Sequence, residues 1–96
     1  MTGVLDLAAS FVADGRSRIE SSLERRIACE RIFEIVGEQV KRLPQSYKVE
    51  HGDVDWSSMV GMRDRISHGY RRDLNEEIIW KALSVSLPEV RRELGL

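Results

Sequence analysis

Between Ser17 and Leu43 the chain runs without a proline, and its apolar residues recur at helical spacing. Ile19, Leu23 and Ile27 repeat every four residues, and the stripe continues through Ile32, Ile35, Val36, Val40 and Leu43. Cys29, Phe33, Val36 and Val40 form a second stripe beside it. An apolar arc this wide predicts a long helix buried against several neighbours, or against a core and a partner subunit. Gly37 interrupts the arc at a cost of roughly 1 kcal/mol relative to alanine, which points to a close helix–helix approach. Pro44 ends the pattern. A chain of 96 residues has no room for a second core, so residues 1–96 are read as one domain organised around this helix.

The remaining segments also read as helices. Residues 4–13 are apolar nearly all round and stop near Gly15. Such a short helix needs tertiary packing to hold it. Gln45 to Asp55 is polar and is expected to be a loop, with Asp53 or Asp55 capping the next helix. That helix is expected over 56–68, anchored by Trp56, Met59, Val60 and Ile66, with Gly69 at its left-handed end. Asn75, followed by Glu76 and Glu77, marks a further helix start, and Ile78, Ile79, Ala82, Leu83, Val85 and Leu87 supply its apolar face. Pro88 kinks that helix or opens a last short one. No strand-like alternation rises above noise. The expected fold is all-α, an antiparallel bundle of four to five helices.

Composition narrows the function. Net charge is −1 and the pI about 6.1, which argues against a protein that coats nucleic acid but leaves room for a local basic site. The single cysteine, Cys29, has no intrachain partner, so a reducing compartment is expected. No membrane span and no secretion signal are evident, so the expected location is cytoplasmic. There is no glycine-rich phosphate loop and no metal-type Cys/His spacing, so neither cofactor nor metal is expected. Cys29 lies in the apolar stripe and reads as core. Glu30, Glu34 and Glu38 line an acidic edge that reads as solvated or facing a partner.

The densest cluster of functional groups is Arg63-Asp64-Arg65-Ile66-Ser67-His68-Gly69-Tyr70. On a helix, Arg63, Ser67 and Tyr70 share a face, and His68 is turned about 140° from Arg63. A guanidinium grips phosphate with a planar fork. A histidine can take a proton from a ribose 2′-hydroxyl or give one to the leaving oxygen. Arg65, Arg71 and Arg72 make the surroundings basic, which suits an RNA backbone. Together these groups suffice for metal-independent RNA cleavage. The bland alternative is a helix end with solvated arginines and a histidine closing the last turn.

The spacing Arg63-x4-His68-x-Tyr70 resembles the motif of the HEPN superfamily. More narrowly, it is similar to that of the HepT-like toxins of MNT/HEPN toxin–antitoxin systems. The likeness extends to Ile32-Phe33-Glu34-Ile35-Val36-Gly37-Glu38, to the run from Trp56 through Met59, Val60, Gly61 and Met62 to Arg63, and to Ile79-Trp80 and Leu87-Pro88. It spans about residues 5–94, in order.

This resemblance implies a HEPN-like homodimer formed around the motif helix. It implies an endoribonuclease with Arg63 and His68 as catalytic residues and Asp64 and Ser67 in support. It also implies a cognate nucleotidyltransferase antitoxin that adenylylates Tyr70. An alternative is a non-catalytic HEPN subunit that partners a nucleotidyltransferase. Three features depart from the family pattern: Asp64 stands where Asn is frequent, Gln39 stands for Ala after Gly-Glu, and the first helix is short.

Overall fold

The computed structural model describes residues 1–69 and 74–96. Its helices are α1 (Thr2–Asp14), α2 (Arg16–Glu20), α3 (Leu23–Arg42), α4 (Gln45–Glu50), α5 (Trp56–Ser67), α6 (Glu76–Lys81) and α7 (Leu87–Glu93). A π-helical segment, Ala82–Ser86, joins α6 to α7. No strand occurs among the described residues. The expected all-α bundle is what forms.

α3 is the central element, and its most extensive partner is α5. Arg63 of α5 lies beside Gly37 and Glu38, while Leu74 lies beside Arg26. The chain after α3 therefore runs antiparallel to it. Cys29, Ile32, Phe33, Val36 and Val40 of α3 are completely or almost completely buried. They meet Trp56, Met59 and Ile66 from α5, and Ile79, Leu83, Leu87 and Val90 from the last helical stretch. α1 closes the bundle with Leu5, Ala8 and Phe11. Arg91 of α7 ties α1 down through Asp6, at 2.5 Å.

The long helix expected over 17–43 is broken once. Ser22 is extended, and its hydroxyl accepts the backbone N–H of Arg25 at 3.2 Å, so it caps a new helix. The break resets the helical phase. Ile19 stays buried, but Leu23 and Ile27 are 74% and 56% exposed. The first stripe is thus a surface feature at its start, and the Cys29–Phe33–Val36–Val40 stripe is the one that forms the core.

The polar stretch expected as a loop contains a helix, α4, entered directly from Pro44. Tertiary contacts hold it. The Tyr47 hydroxyl donates to the Glu93 carbonyl at 3.2 Å, and the Tyr47 ring stacks on His51 at 4.0 Å. His51 Nδ1 is hydrogen-bonded to the Glu93 carboxylate. The Trp56 indole donates to the His51 carbonyl at 3.0 Å.

Pro88 lies in the first turn of α7, just beyond the π segment. A proline ring clashes with the carbonyl four residues back, here Ser84, and a wider turn relieves that clash. No described helix is long and apolar enough to cross a membrane.

Candidate functional site

α5 carries the candidate site, and three local devices place it. The first is Asp55, which caps the helix. Its Oδ1 accepts the Ser58 backbone N–H at 3.2 Å and the Ser57 hydroxyl at 2.9 Å, and its Oδ2 accepts the Ser58 hydroxyl at 2.6 Å. The Ser58 hydroxyl, with the other two donors, holds this carboxyl below the ordinary carboxylate range. The second is Gly69, whose φ of +81° ends the helix in a left-handed turn.

The third device is Gly37 on α3. A Cβ at this position would lie 2.3 Å from Arg63 Cβ and 2.8 Å from the Met59 carbonyl oxygen. No side chain fits there, so the two helices touch at the level of Arg63. The close approach read from the glycine in the sequence is real, and its opposite member is the motif arginine.

Arg63 is held by two carboxylates. Its Nη1 donates to Asp64 Oδ1 at 3.0 Å, and its Nη2 pairs with Glu38 Oε2 at 2.8 Å. The guanidinium pKa is raised, first by the Asp64 hydrogen bond and then by the charge of Glu38. Asp64 is lowered in return, first by its hydrogen bond from Arg63, with Lys41 Nζ at 3.8 Å adding to the effect. On the other side, Glu38 Oε1 is 3.6 Å from Arg42 Nη2. Charges therefore alternate along Arg42, Glu38, Arg63, Asp64 and Lys41.

His68 is the C-cap of α5 and is exposed. Its Nδ1 donates to the Asp64 carbonyl at 2.7 Å. A carbonyl only accepts, so in the neutral ring the lone pair lies on Nε2. No hydrogen bond joins His68 to Arg63. The long arginine side chain, which could bridge much of the roughly 140° rotation between the two positions, turns instead to Asp64 and Glu38. Ser67 is exposed on the last turn of α5, and Arg65 is exposed on its outer face. Tyr70, Arg71 and Arg72 lie outside the described residues.

Glu38 was not singled out as a site residue on sequence grounds. It reads there as one member of the acidic row with Glu30 and Glu34, and as the last residue of the 32–38 stretch that resembles the family. The available signal was its position directly after Gly37, because a glycine that admits a second helix also presents the next residue to that helix.

Two other residues with reactive side chains are structural. Cys29 is fully buried, and burial pushes its thiol up to about 11, so it is a core residue without nucleophilic character at neutral pH. His51 is enclosed by Tyr47 and Glu93. Among the described residues no group of three or more His, Cys, Asp or Glu side chains is arranged to hold a metal ion.

The sequence model of the ribonuclease HepT-like family matches residues 1–95. The chain belongs to the HepT-like ribonuclease family. Among curated relatives, one from Caldanaerobacter subterraneus subsp. tengcongensis, provisionally named an RNase, is 38% identical over 64 residues, which is 67% of this chain and 56% of the relative. One from Thermococcus cleftensis, provisionally named a ribonuclease HepT, is 31% identical over 61 residues, 64% of this chain and 54% of the relative. One from Methanocaldococcus jannaschii, also provisionally named an RNase, is 34% identical over 64 residues, 67% of this chain and 52% of the relative. The chain spans about half the length of the curated relatives it matches. No solved structure matches it significantly. In this HepT-like chain two stretches of the family resemblance, 32–38 and 56–63, lie on α3 and α5, the two helices that meet at Gly37.

Proposed function

We propose that this HepT-like chain is a metal-independent endoribonuclease, the toxin of a toxin–antitoxin pair. One observation carries the reading. The close contact at Gly37 fixes a charged guanidinium on α5, and one turn further the same helix presents a histidine oriented through its Nδ1 by the Asp64 carbonyl.

In the proposed reaction Arg63 holds the scissile phosphodiester, and His68 Nε2 removes the proton of the adjacent 2′-hydroxyl. The 2′-oxygen attacks phosphorus, the bond from phosphorus to the 5′-oxygen breaks, and that oxygen leaves with a proton. The products carry a 2′,3′-cyclic phosphate and a 5′-hydroxyl. Stabilisation of the transition-state charge by Arg63 is the larger contribution, with general base catalysis adding to it. Asp64 orients both groups, one through its carboxylate and one through its carbonyl. Ser67 lies on the same turn as a further hydroxyl donor.

A two-fold pair of chains suits this chemistry. Arg63 and His68 diverge within one copy, so a second copy supplies the complementary group and a second histidine for the leaving oxygen. The outer face of α5 supports a homodimer. Gly61 is open there, and grooves of about 580 and 610 Å³ flank the helix on its α7 and α4 sides. The partner that silences the toxin is a nucleotidyltransferase, which transfers AMP to Tyr70. The added phosphate competes with RNA for the cationic site.

The test is cleavage of a defined RNA by antitoxin-free protein in the presence of EDTA, with product ends identified by mass. Cyclic phosphate ends are expected, and they vanish in Arg63→Ala. Cleavage that requires an added divalent ion defeats the metal-independent reading. Intact RNA under all conditions favours the alternative of a non-catalytic partner subunit, which the pairing of Arg63 with two carboxylates would suit. Sedimentation gives the oligomeric state. Co-expression with the nucleotidyltransferase is expected to add AMP mass to the wild type and not to Tyr70→Phe.

A further inference from the structure

The alternating row of charges around Arg63 does more than neutralise it. Both terminal nitrogens of the guanidinium are taken, Nη1 by Asp64 and Nη2 by Glu38. A phosphodiester is gripped best by two parallel N–H donors. The two carboxylates compete with it for that end-on fork.

The two carboxylates differ in how they can leave. Asp64 is the next residue in the chain and moves with Arg63 on the same helix. Glu38 belongs to α3, and the backbone contact at Gly37 brings it into place. Its second oxygen already faces Arg42, one helical turn further along α3. Arg42 is well exposed, at 69% of its side-chain surface. Glu38 therefore has a second cation within reach and remains paired if it releases Arg63.

We infer that Glu38 is a positioning residue for Arg63: it holds the guanidinium ready, then yields that edge to an incoming phosphodiester and turns to Arg42. The inference rests on the reading of Arg63 as the phosphate clamp. It assigns Glu38 two opposed effects. Glu38 orders Arg63 before substrate arrives, and it competes with the substrate for Arg63. Removing its charge therefore tightens substrate binding and slows turnover.

Two measurements on the intact protein test this, with Glu34→Gln as the control for loss of one negative charge from the same row. The first is NMR of the arginine side chains without nucleic acid. Restricted guanidinium rotation at Arg63 is expected in the wild type and in Glu34→Gln, and free rotation in Glu38→Gln. Unchanged Arg63 signals in Glu38→Gln overturn the positioning role.

The second is fluorescence anisotropy with a labelled 2′-O-methyl oligoribonucleotide, which lacks the attacking hydroxyl. Glu38→Gln is expected to bind it about threefold to tenfold more tightly, in line with loss of a like-charge competitor. Glu34→Gln is expected to show a much smaller gain, and the Glu38→Gln gain disappears on an Arg63→Ala background. Equal gains in the two glutamine variants, or a gain that persists without Arg63, overturn the competition. In cleavage assays both KM and kcat fall in Glu38→Gln. If Arg63→Ala binds the oligonucleotide as well as the wild type, the phosphate-clamp reading fails. The NMR result still decides whether Glu38 positions Arg63.

Discussion

The chain has two histidines, and each stands at the C-terminal end of a helix, His51 after α4 and His68 after α5. Their surroundings differ in every other respect. The His51 ring lies on Tyr47, its Nδ1 is bonded to Glu93 of α7, and its carbonyl accepts the Trp56 indole. The last two contacts join the end of α4 to other parts of the bundle. Among the described residues His68 makes one side-chain hydrogen bond, to the carbonyl four residues back on its own helix. That bond orients the ring. Helix position alone does not decide what a histidine does. A ring whose bonds reach across the fold is a fastener, and the ring whose bond is local is the one proposed for proton transfer.

Substitution of each histidine separates the two roles. His68→Ala is expected to lower RNA cleavage by roughly 10²–10⁴-fold, the usual contribution of a general base. Its thermal midpoint should stay within a few degrees of the wild type. Cleavage that survives in this variant would move the base elsewhere.

Cys29 reports the folded fraction in the same samples. With its thiol held near 11 against a reference of 9.0, thiolate is about a hundredfold scarcer, and burial blocks access as well. Iodoacetamide labelling followed by mass should therefore be slow in the wild type and in His68→Ala. Labelling at the rate of an open thiol in native protein would contradict the buried position.

His51→Ala is expected to do the reverse. It loses a hydrogen bond to a charged group and a ring stack, about 1–3 kcal/mol. Labelling of Cys29 accelerates, while cleavage per folded molecule is retained.

The α3–α5 contact gives an intermediate case, in which stability and chemistry fall together. Gly37→Ala gains roughly 1 kcal/mol of helix propensity, but forcing in the extra carbon costs about 1–3 kcal/mol or more. The 2.3 Å approach to Arg63 Cβ places it at the upper end. A net loss of about 2 kcal/mol or more follows, and each kcal/mol lowers the melting temperature by about 4–8 °C in a domain of this size.

The smallest effect is at the other end of α5. Asp55→Ala removes the cap and costs about 1 kcal/mol at neutral pH. The Asp55 carboxyl is depressed in the folded chain, so its contribution is present above the ordinary value of 3.8 and is lost as pH falls below it. Denaturation at pH 7 and near pH 3 should show the difference between wild type and variant shrinking in acid.

Single-residue chemistry made the ends of elements readable. Asp55 and Asn75 cap the helices they were expected to cap, and Gly15 and Gly69 end theirs at positive φ. Features that depend on the far side of the fold were not readable. α4 has few apolar residues and no local signature, and it is held by Glu93, 46 residues from Tyr47. The break at Ser21–Ser22 contains neither glycine nor proline, and serine there reads as an ordinary helix residue until its hydroxyl is seen to cap α3. Within the candidate site, Arg63 and His68 were picked out because their spacing resembles the HEPN motif. The hold of Glu38 on Arg63 was not, because it crosses from one helix to another.

Gly37 and Arg63 meet carbon to carbon. The colliding atom is a Cβ, which every residue but glycine carries, so exchanging the arginine for another side chain opens no room at 37. The Met59 carbonyl, 2.8 Å from an added carbon, would stand in the way even with glycine at 63, since no substitution removes backbone. The glycine at 37 is therefore demanded by the paths of the two helices and not by the guanidinium, and a copy that had lost the arginine would still need it.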